Sequence, residues 1–154
     1  MTDTATAALA VKRALYDAAR DLFDPNTVLV SFGLSTARRD LSQIVAFLEV
    51  TSRQEEGPLS AAQRSRNEYV DVQVVISVAK AGSDDDLEVS DIAYGHLRTL
   101  DQYVRKTDTT LGGAALWCFL TASESFGYTQ ADQLAQGRLC EIEATFTARV
   151  RITG

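Results

Sequence analysis

The sequence predicts an α+β domain, a mostly antiparallel β-sheet with two helices packed on one face and a long β-hairpin arm. Three patterns carry this. From Cys140 to Thr153 the even positions read Cys140, Ile142, Ala144, Phe146, Ala148, Val150 and Ile152, and the odd ones Glu141, Glu143, Thr145, Thr147, Arg149, Arg151 and Thr153. Strict alternation of this length is the mark of a strand with one dry and one wet face. A second alternating run, Glu68 to Ala79, sets Val70, Val72, Val74, Ile76 and Val78 against Tyr69, Asp71, Gln73, Val75 and Ser77. Two other segments carry the helical period, and each has one apolar stripe to lay on the dry side of such a sheet.

The first helix is set by Ala8, Val11, Leu15, Ala18 and Leu22, at steps of three and four, with Lys12, Arg13, Asp17 and Arg20 around the rest of its surface. Thr4 is its expected cap, and Asp24-Pro25-Asn26 ends it. Val28 to Phe32 follows as a short strand. Gln43 to Thr51 fits two periods: Leu41, Ile44, Val45 and Leu48 suit a helix, Ile44, Ala46, Leu48 and Val50 a strand. Its β-branched content and the partner strand at Glu68 favour β. Between them Ser52 to Asn67 is a long polar connection bearing Arg53, Glu55, Glu56, Arg64 and Arg66. Hairpin loops are usually short, so this one is read either as a disordered loop or as an arm that orders on assembly.

The second helix opens at Ser83-Asp84-Asp85-Asp86, acidic at its positive dipole end, and closes near Arg105-Lys106 with the complementary sign. Val89, Ala93, Leu97, Leu100 and Val104 form its stripe. Leu111-Gly112-Gly113 turns the chain into a strand from Ala115 to Phe126, in which Leu116, Cys118, Leu120 and Ala122 alternate with Trp117, Phe119, Thr121 and Ser123. Tyr128 to Gln136 reads as a polar turn before the last strand. At 154 residues and 45% hydrophobic content the chain is expected to form a single domain, 1–154, with its own core.

Charge and motifs narrow the functional classes. A net charge of −6 argues against a nucleic-acid-gripping protein, which needs clustered Lys and Arg. The chain has no apolar run of membrane-spanning length and no secretory leader pattern, so a cytosolic origin is expected, with Cys118 and Cys140 buried and reduced. His96 lies within the second helix beside Leu97 and Leu100 and has no ligand-type residue at metal spacing. The Ser83–Asp86 run is better explained as a cap than as an oxygen cage. Leu111-Gly112-Gly113-Ala114-Ala115 precedes a strand and lacks the Lys-Ser/Thr ending of a phosphate loop. With no nucleophile elbow, and with Glu141 and Glu143 on a polar strand face, neither catalysis nor a cofactor or metal is expected. Trp117 and Phe119 admit two readings: a partner-binding pair on a wet face, or the second buried face of a central strand.

Taken in order, Arg53-Gln54-Glu55-Glu56, Arg64-Ser65-Arg66-Asn67-Glu68-Tyr69, Val70-Asp71-Val72-Gln73-Val74-Val75, the acidic helix start, Leu111-Gly112-Gly113-Ala114-Ala115-Leu116-Trp117 and the closing Gly137-Arg138 to Ile152 resemble the tail terminator proteins of long-tailed bacteriophages. The likeness runs from about residue 28 onward and is one of pattern and order. It implies a virion structural subunit, assembled in the host cytoplasm, that forms a hexameric ring on the head-proximal end of the tail tube. Such a ring stops tube polymerisation and joins the tail tube protein to the head-completion protein, while DNA passes through without specific binding. Arg53, Glu55, Glu56, Arg64, Arg66, Trp117 and Phe119 are then the expected inter-subunit contacts, and Asp71, Glu141 and Glu143 the expected lumen face. Another head–tail joining or tail-tube component is the nearest alternative, and a small α+β enzyme or ligand-binding module the more distant one.

Overall fold

Two sixteen-residue strands, β3 (Arg66–Ala81) and β5 (Gly137–Ile152), pair antiparallel along their whole length in the computed structural model, from Arg66 opposite Ile152 to Ala81 opposite Gly137. The structure describes residues 5–33, 42–56, 65–81, 86–126 and 137–152. Because both strands alternate in phase, all their valines and isoleucines but Val75 fall on one face and most of their polar residues on the other. The other strands extend this pair. β2 (Gln43–Glu56) is antiparallel to β3, β4 (Trp117–Phe126) antiparallel to β5, and the short β1 (Val28–Ser31) parallel to β2. The order across the sheet is β1-β2-β3-β5-β4, which leaves β1 and β4 at the edges.

Two helices, α1 (Ala8–Leu22) and α2 (Asp86–Gln102), cover the dry face. α1 contributes Val11, Leu15, Ala18 and Ala19, α2 contributes Val89, Ala93, Leu97 and Leu100, and both join one core with Val72, Val74, Ile76, Ile142 and Phe146. Tyr16 meets Phe32 and Phe47 edge-on, at centroid separations of 5.3 and 6.2 Å, which ties α1 to β2. After Gln102 the chain widens into a π-type turn, Tyr103–Thr107, closed by the Asp108 amide donating to the Tyr103 carbonyl at 2.8 Å. The α+β class, a mostly antiparallel sheet with two helices on one face, is thus the one the periodicities predict; the long hairpin arm is not established by these strands.

Several boundaries and faces differ. β2 is a strand, but Ile44 and Ala46 pair with Ser77 and Val75 on the wet face, while Val45 and Phe47 point to the helices. A bulge between Phe47 and Val50 then returns Val50 to the dry side, so a simple alternation from 44 to 50 fails. A second bulge, between Leu120 and Ala122, moves Ala122 opposite Thr145 on the wet face, although Cys118 keeps the dry face. Leu116, expected beside Cys118, precedes β4 and is 52% exposed. Of the arm expected at 52–67, residues 52–56 and 66–67 are rungs of the sheet, and Arg66 and Asn67 are paired on both sides. Residues 57–64, Arg64 among them, lie outside the described residues, as do Thr4, the Ser83–Asp85 part of the helix start and the 128–136 turn.

The start of α1 is held from the sheet. Ala7 occupies the cap position and has no side-chain oxygen to offer. Glu68, at an apolar-parity position of β3, supplies one: its Oε1 accepts from the Ala7 amide at 2.6 Å, and its Oε2 from the Thr6 hydroxyl and from Gln54 Nε2, the latter at 3.1 Å. Gln54 Nε2 also donates to the Ala5 carbonyl at 2.5 Å. Burial pushes the Glu68 pKa up, but the hydrogen bonds from Thr6, Ala7, Gln54 and Ser52 outweigh it and hold the group below the ordinary carboxylate value. The carboxylate also sits at the positive end of the α1 dipole. At the opposite end of α1, half-buried His96 of α2 lies 5.1 Å from the Phe23 ring, with its Nε2 2.7 Å from Gln43 Oε1. Burial lowers its pKa below 6.5.

Both shifts favour the form present at neutral pH, so the stability they contribute is lost on acidification. The unfolded chain takes up protons first, at His96 below about pH 6.5 and at Glu68 below about pH 4.5. Chemical denaturation across pH 3–8 is expected to show stability falling through both windows. Glu68→Ala is expected to cost about 1–3 kcal/mol at pH 7, because it leaves buried donors unmet, and to flatten the lower window; an unchanged lower window would remove the capping role.

Candidate functional site

The wet face of the sheet is where most of the side chains singled out in the sequence converge. Register across four strands sets them in rows. Arg53 of β2 lies opposite Tyr69 of β3, Tyr69 opposite Arg149 of β5, and Arg149 opposite Trp117 of β4. The next row is Thr51, Asp71, Thr147 and Phe119. Two rows further down, past the bulges, come Ala46, Val75, Glu143 and Glu124, and then Ile44, Ser77 and Glu141. Above the first row, Glu55 is opposite Asn67 and Asn67 opposite Arg151. The face therefore changes character along the strands, with arginines and aromatics at one end and carboxylates at the other.

At the first end the side chains interlock. The Arg53 guanidinium lies over the Tyr69 ring, 5.1 Å from its centroid, with its Nε 3.5 Å from Glu55. Tyr69 and Trp117 are 6.3 Å apart, and Trp117 stacks on Phe119 at 4.9 Å with 26° between their planes. Offset stacking and cation–π contact of this kind contribute on the order of 1 kcal/mol each. Together they turn a row of separate side chains into a nearly continuous plate. Trp117 is half-buried by its neighbours, while Phe119 remains 44% exposed. Since β4 is an edge strand, the aromatic pair faces outward and does not form the second core of a central strand.

Asp71 belongs to this end as well. Thr147 Oγ1 donates to Asp71 Oδ1 at 2.6 Å, and the Thr121 and Thr147 hydroxyls are 2.8 Å apart. The relay spans β4, β5 and β3 and fixes the carboxylate in the row of Phe119, one strand removed from it. Glu141 and Glu143 lie together at the other end, half-buried between Ser77 and Val75 on β3 and β4 on the far side. Arg53, Glu55, Trp117 and Phe119, expected to contact a neighbour, thus share one face with the expected lumen residues, in two zones, with Asp71 in the aromatic zone; Arg66 and its partner Glu56 stand at the opposite parity, and Arg64 lies outside the described residues. Glu56 and Arg66 pair with each other at the start of the hairpin. Arg66 is half-buried, and its Nε has no hydrogen-bond partner among the described residues.

Tyr69 and Arg149 complete the row and were not singled out in the sequence as contact residues. Alternation assigns them to the wet face, but only the register between strands puts Tyr69, Arg149 and Trp117 side by side. Glu68 was missed for another reason: its signal is a lone acid at an apolar-parity position, which a list of hydrophobic residues passes over. His96 lies on the helix side, away from this face. Among the described residues no three His, Cys, Asp or Glu side chains gather as metal ligands. No helix among them is long and apolar enough to cross a membrane.

No protein-family model matches the chain, and neither does any curated protein sequence. The sites must therefore be read from their own chemistry.

Cys118 and Cys140 are both free and both buried under the helices. Burial pushes the Cys118 thiol up to about 12, so almost none of it is thiolate at neutral pH. A disulfide-exchange reagent is expected to leave both thiols unreacted in the native protein over the time in which it consumes two per chain in denaturant. Rapid native reaction at Cys118 would contradict the packing of β4.

Proposed function

We propose that this chain is a ring-forming virion subunit of the tail terminator kind, which caps the head-proximal end of a tail tube and joins it to the head-completion protein. One observation carries the reading beyond the resemblance in sequence order: the stacked Trp117–Phe119 pair, outward on an edge strand and continued by Tyr69 and Arg53. A plate of aromatics and arginine on the wet side of a sheet has the composition of an interface anchor. The carboxylates further along the same strands supply a surface of the opposite character.

In this mechanism each subunit presents one patch to one neighbour and a different patch to the other, as any cyclic ring of more than two copies requires. Trp117 and Phe119 form the dry part of the contact. Arg53, Glu55, Glu56 and Arg66, at the start of the hairpin, supply polar contacts around it, with Arg64 beyond them in the sequence. Glu141 and Glu143 face the lumen, where negative charge repels passing DNA. Asp71, fixed by Thr147 in the row of Phe119, joins the contact zone. The ring is expected to hold six copies, the number implied by the resemblance, with the tail tube protein on one side and the head-completion protein on the other.

Native mass measurement and negative-stain electron microscopy at low and high concentration test this directly. Closed rings of one size are the expected result, open tubes would favour a tail-tube subunit, and a monomer at every concentration would overturn self-assembly. Phe119→Ser is expected to weaken assembly by about 2 kcal/mol, roughly 30-fold in the association constant, with an unchanged circular dichroism spectrum. Charge reversal at Glu141 and Glu143 is expected to spare the ring and impair genome delivery; unimpaired delivery would remove the lumen assignment.

A further inference from the structure

A groove lies on the helix side of the molecule, between the first turns of α1 and the segment that leads into β4. It encloses about 860 Å³ and is lined by Leu9, Ala10 and Arg13 from α1, Leu116 before β4 and Val150 from β5. Leu9 is 66% exposed and Leu116 52% exposed. Apolar side chains left this open on either side of a cleft are poorly accounted for by the isolated fold.

The groove walls are preformed. α1 is pinned at its start by Glu68. The opposite wall is a tight turn in which Leu111, Gly112 and Gly113 have φ of 51°, 67° and 93°, closed by the Ala115 amide on the Thr110 carbonyl at 3.0 Å and by the Leu116 amide on the Arg149 carbonyl at 2.7 Å. Buried Leu111 anchors the turn in the core, and the glycines adopt the left-handed region without a Cβ penalty. A groove that needs no rearrangement loses little on filling.

A surface of complementary character lies on α2. Leu87 and Tyr94 are 66% and 41% exposed and seven residues apart, so they share one side of the helix about 10 Å apart along its axis. Asp86 and Asp91 are exposed beside them, and α2 carries no Lys or Arg before Arg98. Glu88 is bridged to Lys80 and Asp101 to Arg105. Two apolar side chains beside Asp91 match a groove of two leucines beside Arg13. Among the described residues Arg13 has a loose surface neighbour, Asp17 at 3.9 Å.

We propose that the Leu87–Tyr94 stripe of one copy docks in the Leu9–Leu116 groove of a second copy of this chain. This deepens the ring reading and rests on it. A copy cannot fill its own groove. The groove lies at the Glu68 end of β3 and the stripe starts at the Lys80 end, twelve residues away, ~40 Å along an extended strand. The contact is therefore between copies, and it joins two different patches, the kind of contact that closes a ring when its rotation permits. It follows the helix-in-groove mode, with anchors at i and i+7.

Two double variants test it. Leu9→Glu with Leu116→Glu closes the groove and leaves the stripe; Leu87→Lys with Tyr94→Lys spoils the stripe and leaves the groove. All four positions are exposed, and wild-type circular dichroism and melting would establish that the variants fold. Each variant alone is expected to stay monomeric, with association at least tenfold weaker, at concentrations where the wild type assembles. Mixed one to one, they are expected to form a dimer and stop there, since only one intact groove–stripe pair exists between them. Should both variants assemble like the wild type, the groove contact is wrong and the ring reading stands. Two monomeric variants that give no dimer on mixing also overturn it, and a wild type that is monomeric at every concentration overturns both readings. If either double variant fails to fold, Arg13→Asp and Asp91→Arg replace them: each alone should weaken association and the two together restore it, and failure of the pair to restore it overturns the contact.

Discussion

The pairing of β3 with β5 over sixteen residues is the constraint on which the rest of the molecule depends. With both strands alternating in the same phase, a slip of one residue would place Val72, Val74 and Ile76 in water and Asp71 in the core. The register is thus fixed by burial, and every later feature inherits it. The helices have a single continuous dry surface to cover, and β2 and β4 can add only where their own apolar residues match. The wet face inherits the same discipline: Tyr69, Arg149 and Trp117 stand in line because Val70, Ala148 and Cys118 are buried beneath them.

Where a strand departs from strict alternation, the sheet absorbs the change with a bulge. The one in β2 lets Val45, Phe47 and Val50 all meet the helices, although 47 and 50 differ in parity. The one in β4 releases the strand from its dry-face pattern after Leu120. Both lie in the flanking strands, so the extra residues are taken up there while β3 and β5 keep their register. Glu68 is the counterpart on the dry side. A carboxylate at a valine position would be costly if it lacked donors, but here it meets the amide and hydroxyl of the helix start and so sets where α1 begins. Thr6 adds a local bond, its Oγ1 accepting from the Ala8 amide at 3.1 Å.

This explains how much could be read from the sequence. Both helices, the β3 and β5 alternations and the burial of Cys118 and Cys140 follow from periods that one segment displays by itself. The parity of Ile44 and Ala46, the exposure of Leu116 and the position of Ala122 do not, because a bulge or a strand start is decided by the neighbouring strand. The candidate site divides in the same way. Trp117 and Phe119 stand out as large aromatics on a polar parity, whereas Tyr69 and Arg149 gain their significance only from lateral register. Asp71 was grouped with Glu141 and Glu143 by charge, and geometry separates it, since Thr147 binds it in the row of Phe119. The groove beside α1 left no local signal, because its two leucines are more than a hundred residues apart.

The groups whose protonation the fold shifts also bear on function. Glu68 and His96 are held at opposite ends of α1, and the Cys118 thiol is sealed under the helices. Each shift follows from a structural duty: capping a helix, filling the junction of α1, α2 and β2, packing an edge strand. Tyr103, raised by burial and by Asp108, belongs to the π-type turn. The wet face is built from a different resource, large area and fixed orientation, through stacked rings and a threonine–aspartate relay. Such a surface loses little on contact, because its rings are already ordered and their side-chain entropy largely spent. The same holds for the groove, whose walls are fixed by Glu68 and by the Leu111–Gly113 turn. A fold that orders its exposed apolar side chains in advance on two separate faces offers two preformed surfaces, one on the sheet and one beside α1, each of which could be covered at little ordering cost.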